Sequence, residues 1–455
     1  MKKTLVLLLV LCPIILMGYT EIHGDLSGQT LTAGTYLVNQ ITVAEGAQLQ
    51  IEAGAILKFN GSYSYLHVYG YLDVSGTEMN NVHFTSKDDD SIGEVISGSN
   101  GNPEQGDWRG IEIHNGVGEF EYSQLRYSGA SSNANLTYDS STGWFRYSVS
   151  RDATYGIKAS SNSNVEMLHS TFENNYYNGI FGMGSEFQID YCTFNNNGDY
   201  AAILYDTTII QYTNLSFSSN GINAIGIRGN VSSDITWISN ANSPYVLIGD
   251  VNIDDGVVCT IPAGSVFKAN TDGHFYVRGT LDVNGTSGNP VIFTSVKDDT
   301  YLGDTNNDGT ATSAAAGDWE GIIVSGYSDN DGIGEFDNCI IKYGGGNYDS
   351  NIYFHYTDSS YFTNSVCEHS LYHGLKARYS DVQISGSAFS NNAEYAAYLQ
   401  DATVRNYPNN SAFDNGTDAF GLSGIVTENT TWTSSLSSAI TSLIGTVTIN
   451  DDIVC

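Results

Sequence analysis

Phe172, Phe194 and Phe217 stand 22 and 23 residues apart, and Phe389 and Phe413 stand 24 apart. Three residues after each comes Asn175, Asn197, Asn220, Asn392 or Gly416. Asn and Gly tolerate left-handed backbone, so this position is predicted to be a tight corner with positive φ, repeated once per unit. A small residue and an aliphatic follow, as in Gly179–Ile180, Ala202–Ile203 and Ala224–Ile225. Runs of helix-forming residues at helical spacing are missing after the N-terminal apolar stretch, so the periodic segments read as short strands. A unit of about 22 residues with short strands and one such corner is the size of a single β-helix coil. Stacking the coils sets each Phe over the last and each Asn in a hydrogen-bonded column. With strands ~4.8 Å apart, about 19 coils make a rod of roughly 90 Å.

A longer repeat encloses the short one. ITVAEGAQLQIEAGAILKF from Ile41 lies over VNIDDGVVCTIPAGSVFKA from Val251, and YLDVSGTEMNNVHFTSKDDD from Tyr71 over TLDVNGTSGNPVIFTSVKDDT from Thr280. GDWRGIEI from Gly106 matches GDWEGIIV from Gly317, DYAAILYD from Asp199 matches EYAAYLQD from Glu394, and Trp237 matches Trp432. The final VTINDDIVC, ending at Cys455, matches VNIDDGVVC, ending at Cys259. These matches divide the chain into a leader at 1–20, a first module at 21–250, a second at 251–446 and the opening of a truncated third at 447–455.

Composition narrows the class. Lys2 and Lys3 precede an apolar run from Leu5 to Met17, the charged and apolar regions of a secretory signal too short to anchor in a bilayer. No later run is long enough to span a membrane. Fifty acidic residues against 17 basic give a formal net charge of −33, which repels nucleic acid and anionic lipid and suits divalent cations. The expectation is a secreted protein, extracellular or on the outer cell surface. Hydrophobic content of 41% is too high for disorder.

The opening G-x-x-L-x-I-x-x-G-x-x-x-K-F (Gly46 to Phe59), the block G-x-L-D-V-x-G-T…V-x-F-T-S-x-K-D-D, and G-D-W-x-G-I carry a resemblance. The chain resembles secreted right-handed parallel β-helix proteins of the pectin-lyase-like superfamily, and more closely the multi-module surface proteins of Bacteroidetes-type bacteria. The resemblance implies an all-β, right-handed parallel β-helix solenoid of two tandem modules. It is weak for activity, because that superfold hosts lyases, hydrolases, adhesins and spacers.

Asp304, Asn306 and Asp308, with Gly309 forcing the turn, spell the alternating oxygen pattern that wraps Ca²⁺. The bidentate Glu is missing, Ala315 standing in its place, so the Thr310 carbonyl, water, or Asp298, Asp299 or Asp318 is expected to complete a structural site. Asp329, Asn330, Asp331 and Glu335 form a shorter acidic turn. Asn270-Thr-Asp272-Gly273 has the spelling of a polygalacturonase acid, but its partner motifs are missing. Lys87 and Lys297 recur beside Asp88–Asp89 and Asp298–Asp299, and read as corner ion pairs rather than lyase bases. The histidines form no metal-binding set and read as scattered surface residues; the cysteines after the leader read as small core residues. Tyr63 and Tyr65, and Tyr69 and Tyr71, at period two, are expected on strand faces able to pack sugar rings, and a second cluster holds Tyr343, Tyr348, Tyr353 and Tyr356.

The expectation for function is a non-enzymatic β-helix stalk or adhesin that meets extracellular polysaccharide or another cell surface, displaying loops along one edge. The alternative is a polysaccharide lyase or glycoside hydrolase. A charged cluster confined to one copy would favour the enzyme; a repeated exposed aromatic face would favour binding; a pure spacer would carry neither.

Overall fold

Alternation builds the coil. In Gln48–Glu52 the inward residues are Leu49 and Ile51; in Tyr65–Val68 they are Leu66 and Val68. Three such strands, parted by tight corners, make one turn, and each strand pairs in parallel with its counterpart one turn on. On the first side Gln48–Glu52, Tyr71–Ser75, Val117–Glu121 and Thr142–Arg146 follow one another. On the second side run Ala55–Phe59, Val82–Ser86 and Ser123–Arg126, and on the third Tyr65–Val68, Ile111–His114 and Ala134–Asp139. The result is an all-β parallel solenoid of about 17 turns, with coils of ~23 residues, consistent with the right-handed β-helix. The computed structural model describes residues 18–206, 208–237, 244–327, 332–427, 429, 440–451, 453 and 454. Residues 1–17 of the expected leader, the Asp329 to Asp331 turn, Trp432 and Cys455 lie outside the described residues. Among those described, no helix is long and apolar enough to cross a membrane.

Fewer turns form than the 22-residue unit predicts, because two corners are greatly enlarged. Between Val82–Ser86 and Ile111–His114, and again between Val291–Ser295 and Gly321–Ser325, one corner takes up about a coil's worth of chain. At ~4.8 Å per turn the rod is roughly 80 Å long.

The phenylalanine column forms. Phe172, Phe194 and Phe217 are in register, with ring centroids 5.0 and 5.5 Å apart, and Phe120 and Phe145 extend the spine toward the N-terminus. Phe413 does not join it. The strand register sets Ala412 beside Phe389, so Phe413 turns to solvent at 48% exposure.

The asparagine column forms too, but the predicted corner is one residue off. Positive φ belongs to Asn174, Asn196, Ser219 and Asn391. The next residue points inward. Asn175 Nδ2 donates to Asn197 Oδ1 at 2.9 Å, and Asn197 Nδ2 to Asn220 Oδ1 at 2.8 Å. Asn392 Nδ2 donates to Asn415 Oδ1 at 2.8 Å, so Asn415 holds the place expected of Gly416. The side chain that satisfies buried backbone has to face inward, which leaves its neighbour to make the left-handed bend.

The G-D-W-G-I block buries Trp108 and Trp319, whose Nε1 atoms donate to the Arg126 and Lys342 carbonyls, each at 2.8 Å. The K-F and K-A endings bury Lys58 and Lys268. Lys58 Nζ donates to the Asp89 and Glu94 carbonyls at 2.8 and 2.7 Å; Lys268 Nζ donates to the Asp298 and Gly303 carbonyls and Thr305 Oγ1 at 2.9, 3.0 and 2.6 Å. Each lysine thus pins an enlarged corner loop to the wall. Burial lowers the Lys58 pKa, and brings that of Lys268 to about 8.

The expected corner ion pairs have other partners. Asp89 and Asp298 turn inward onto Thr85 and Thr294, pairing with Arg126 at 2.7 Å and Lys342 at 3.1 Å. Lys87 instead reaches the Gly98 carbonyl, and Lys297 reaches Asp318. Cys192, Cys259, Cys339 and Cys367 are buried free thiols. Cys339 stacks in a serine column, its N–H donating to Ser365 Oγ as Ser365 N–H does to Ser387 Oγ.

The two halves are not in phase. The third-side strand Tyr200–Tyr205 pairs with Ile222–Val231, that strand with Tyr245–Ile253, and the last with Val266–Ala269. Val266–Ala269 is the repeat of Ala55–Phe59, a second-side strand. The second side of the later half therefore continues the third side of the earlier one. The enlarged loops sit on neighbouring corners, which corrects the single edge expected from the sequence.

Candidate functional site on the outer face of the first half

On the third side Tyr65 and His67 point outward from one strand, Glu112 and His114 from the next, and Thr137 and Asp139 from the one after. Register sets His67 beside Glu112, and His114 beside Asp139. Glu112 is the hub. Its Oε1 accepts from Arg109 Nε at 3.1 Å and Asn133 Nδ2 at 3.0 Å, with His67 Nε2 at 3.4 Å; its Oε2 lies 3.2 Å from His114 Nε2. On its other nitrogen His114 lies 3.5 Å from Asp139 Oδ2. Burial would raise the Glu112 pKa, but the adjoining His67 and the charges of Arg109 and His114 outweigh it and bring it down to about 2. Hydrogen bonds from Ser161 and Ser160 and contact with His114 keep Asp139 below the usual carboxylate range. A fixed carboxylate between two imidazoles can orient both rings through its two oxygens.

Strands distant in sequence assemble this cluster, so only coil register brings the histidines together. They are not the scattered surface residues expected. At the N-terminal part of the face Tyr65 lies on the strand, while Tyr63 stands in the turn before it and Tyr69 in the bend after it, so Tyr63 and Tyr65 do not share a strand face as expected. Tyr63 is 84% exposed and borders an open cavity of about 400 Å³ lined also by His23, Asn39, Gln40, Asn60 and Ser64. Tyr65 stacks on His67 at 3.8 Å and Tyr69 on His114 at 5.5 Å. Tyr71 is not with them. Gly70 closes the corner after Tyr69, so Tyr71 opens a first-side strand and donates to Glu119.

A second aromatic feature follows the coil period, with members 25, 22 and 22 residues apart. Tyr122, Tyr147, His169 and Tyr191 occupy successive left-handed corners, their rings 5.0, 5.1 and 4.7 Å apart. The faces of Tyr147 and His169 are spent on neighbouring rings, so the middle of this ladder braces the corner. In the later half Tyr343 meets His369, Tyr348 meets His274, Tyr353 lies under Lys376, and Tyr356 stacks on Tyr379.

None of the cluster is kept at the repeat positions. Tyr276, Ile323, Ser325, His355 and Glu320 stand for His67, Glu112, His114, Asp139 and Arg109.

The D-x-N-x-D-G loop folds on itself. Asp304 accepts from the N–H groups of Asp308 and Gly309 at 3.1 and 2.8 Å, and Asn306 Nδ2 donates to Asp308 Oδ2 at 2.8 Å. Asn306 Oδ1 and Asp308 Oδ1 are enclosed with no donor. Of the neighbours expected to help, Asp298 is held by Lys342 and Asp318 by Lys297. Asp299 faces the loop, and its pKa is raised by burial and by the charges of Asp304 and Asp308. Thr310 is exposed. Among the described residues no three His, Cys, Asp or Glu side chains converge as metal ligands. The loop's oxygens suit a hard cation in kind, with Asp304 already committed to backbone. Asp272 lies on the wall of another open cavity, of about 280 Å³, beside Lys297 and Asp318.

Residues 229–362 match the family model of a pectate-lyase-like β-helix domain. The matched segment lies mostly in the later half and leaves the His67 cluster outside. No curated protein matches the chain. Among solved structures it is similar to the periplasmic alginate epimerase AlgG, at 9% identity and a TM-score of 0.25, covering 92% of this chain and 78% of that one. A mutant of the same enzyme gives 10% identity and a TM-score of 0.30 over the same shares. The catalytic unit of a thermostable alpha-1,3-glucanase from Streptomyces thermodiastaticus gives 11% identity and a TM-score of 0.23, covering 92% of this chain and 62% of that one.

Proposed function

We propose that the protein is a β-helix rod working outside the cytoplasm, of the multi-module bacterial surface type, that holds a polysaccharide chain against the third side of its first half. The supporting observation is Tyr63 beside a cavity lined by Asn39, Gln40, Asn60 and Ser64. An exposed ring and several amides and hydroxyls match the flat apolar face and rim hydroxyls of a neutral sugar. A net charge of −33 disfavours a polyanion unless divalent cations bridge it. The test is affinity electrophoresis in gels containing neutral or uronate polysaccharides. Neutral glycan should retard the protein, and Tyr63→Ala should remove the retardation. No retardation by any neutral glycan would overturn the reading.

A second reading is that the chain is also processed there. What favours it is the pair of histidines on one carboxylate, His67 and His114 on Glu112, which the second copy replaces by a single histidine, His274, 2.9 Å from Glu320. Release of reducing ends, or unsaturated-uronate absorbance with and without Ca²⁺, tests it; turnover that survives Glu112→Gln unchanged would rule this cluster out. Ca²⁺ at Asp304, Asn306 and Asp308 is proposed as a structural ion, supported by the two enclosed oxygens without donors.

A further inference from the structure

At the junction of the halves, the loop that follows Val291–Ser295 folds back over the outer wall of coils already made. Val296 packs on Tyr200, Ile203, Ala224 and Val246 in an apolar cluster separate from the core. Asn270 Nδ2 donates to Tyr200 Oη at 2.9 Å, and Asn223 N–H donates to the Thr305 carbonyl at 2.8 Å. The loop is held down by buried Lys268. The later half therefore stacks on the earlier one and also clasps it. Tyr200 and Ile203 are each only 6% exposed as a result.

The same seat recurs at the other end. In DYAAILYD and EYAAYLQD, Tyr395 and Tyr398 stand for Tyr200 and Ile203. Thr417–Val426 pairs with Ile440–Ile449 as Ile222–Val231 pairs with Tyr245–Ile253, down to the same break in register before a glycine. Gly226 sits against Tyr200 and Ile248, and Gly421 against Tyr395 and Ile444 in the same way. Among the described residues no loop closes this second seat, and Tyr395, Tyr398 and Ile444 are only half-buried. The edge beside it is open as well. Leu443 and Ile449 are 66% and 48% exposed, where their counterparts Leu247 and Ile253 are buried.

We propose that this end face is a docking surface for a further copy of the unit that begins at Val258, stacking on the edge of Ile440–Ile449 and closing its Val296–Thr305 loop over Tyr395 and Tyr398. An apolar strand edge with an unfilled apolar seat beside it is what such a unit covers at the internal junction. The inference is independent of the glycan reading.

The experiment extends the full chain after Cys455 with a second copy of residues 260–446 and reads two signals. Amide exchange across Thr417–Ile449 should slow by about tenfold or more. Nitration of Tyr395 and Tyr398 by tetranitromethane should fall to the level of Tyr200. Val296→Asp made in the added copy alone should restore nitration while leaving exchange slow, which separates the clasp from the stacking. An added copy that folds while both tyrosines stay reactive would overturn the proposal. So would one that stays unprotected on the rod, because the end face is then no template.

Discussion

A single asparagine column shows what one residue contributes here. Asn197 joins Asn175 and Asn220 and also donates to the Phe172 carbonyl at 3.0 Å, all in the dry interior. Asn197→Ala should cost about 1–3 kcal/mol, because it strands buried partners on both neighbouring coils. Asn196→Gly, at the left-handed corner, should change stability by no more than a few tenths. Chemical denaturation of the two variants separates ladder from bend. Glu112 makes the sign of an acid effect explicit. With its pKa moved from 4.5 down to about 2, it adds stability above 4.5 that is lost as the pH falls through 2. Glu112→Gln should flatten the melting temperature across that window and lower it at neutral pH.

Among the elements, the enlarged corner loops carry the clearest consequence. Lys268 holds the later loop by three acceptors, so Lys268→Met should free the loop while leaving the coil stack intact. Limited proteolysis between residues 298 and 317 should become faster with little change in far-ultraviolet circular dichroism. Added Ca²⁺ should raise the melting temperature relative to chelator if Asn306 and Asp308 take the ion, and Asp308→Asn should abolish the difference. These loops also mark how far the sequence could be read. The Phe172–Phe194–Phe217 spacing shows the coil directly, since a stacked core repeats its largest side chains. Phe413 misleads, because its coil returns to the Phe389 position after 23 residues, at Ala412, and a Phe one residue further on faces outward. The His67–Glu112–His114 cluster is invisible to spacing. Its members are 45 and 2 residues apart, and only the insertion between Ser86 and Ile111 decides which strands become neighbours.

For the whole molecule, acid is expected to act first through buried imidazoles. Burial, with the Arg126 charge, lowers the His83 pKa from 6.5 to about 4, and burial with Lys376 lowers that of His373 equally. The unfolded chain takes up protons that the fold refuses, so stability contributed by these rings is full above pH 6.5 and falls as the pH drops toward 4. Between 6.5 and about 5 the carboxylates stay ionised, and this loss is not offset by relief of their mutual repulsion. His83→Gln combined with His373→Gln should flatten the melting temperature in that interval.

The one-side offset between the halves has a geometric result. Matching corners of successive units point along different bearings around the axis, and only the fourth unit of such a series returns to the bearing of the first. A flat target lying along the rod could meet matching corners of every third unit, while a fibre wound about the rod could meet them all.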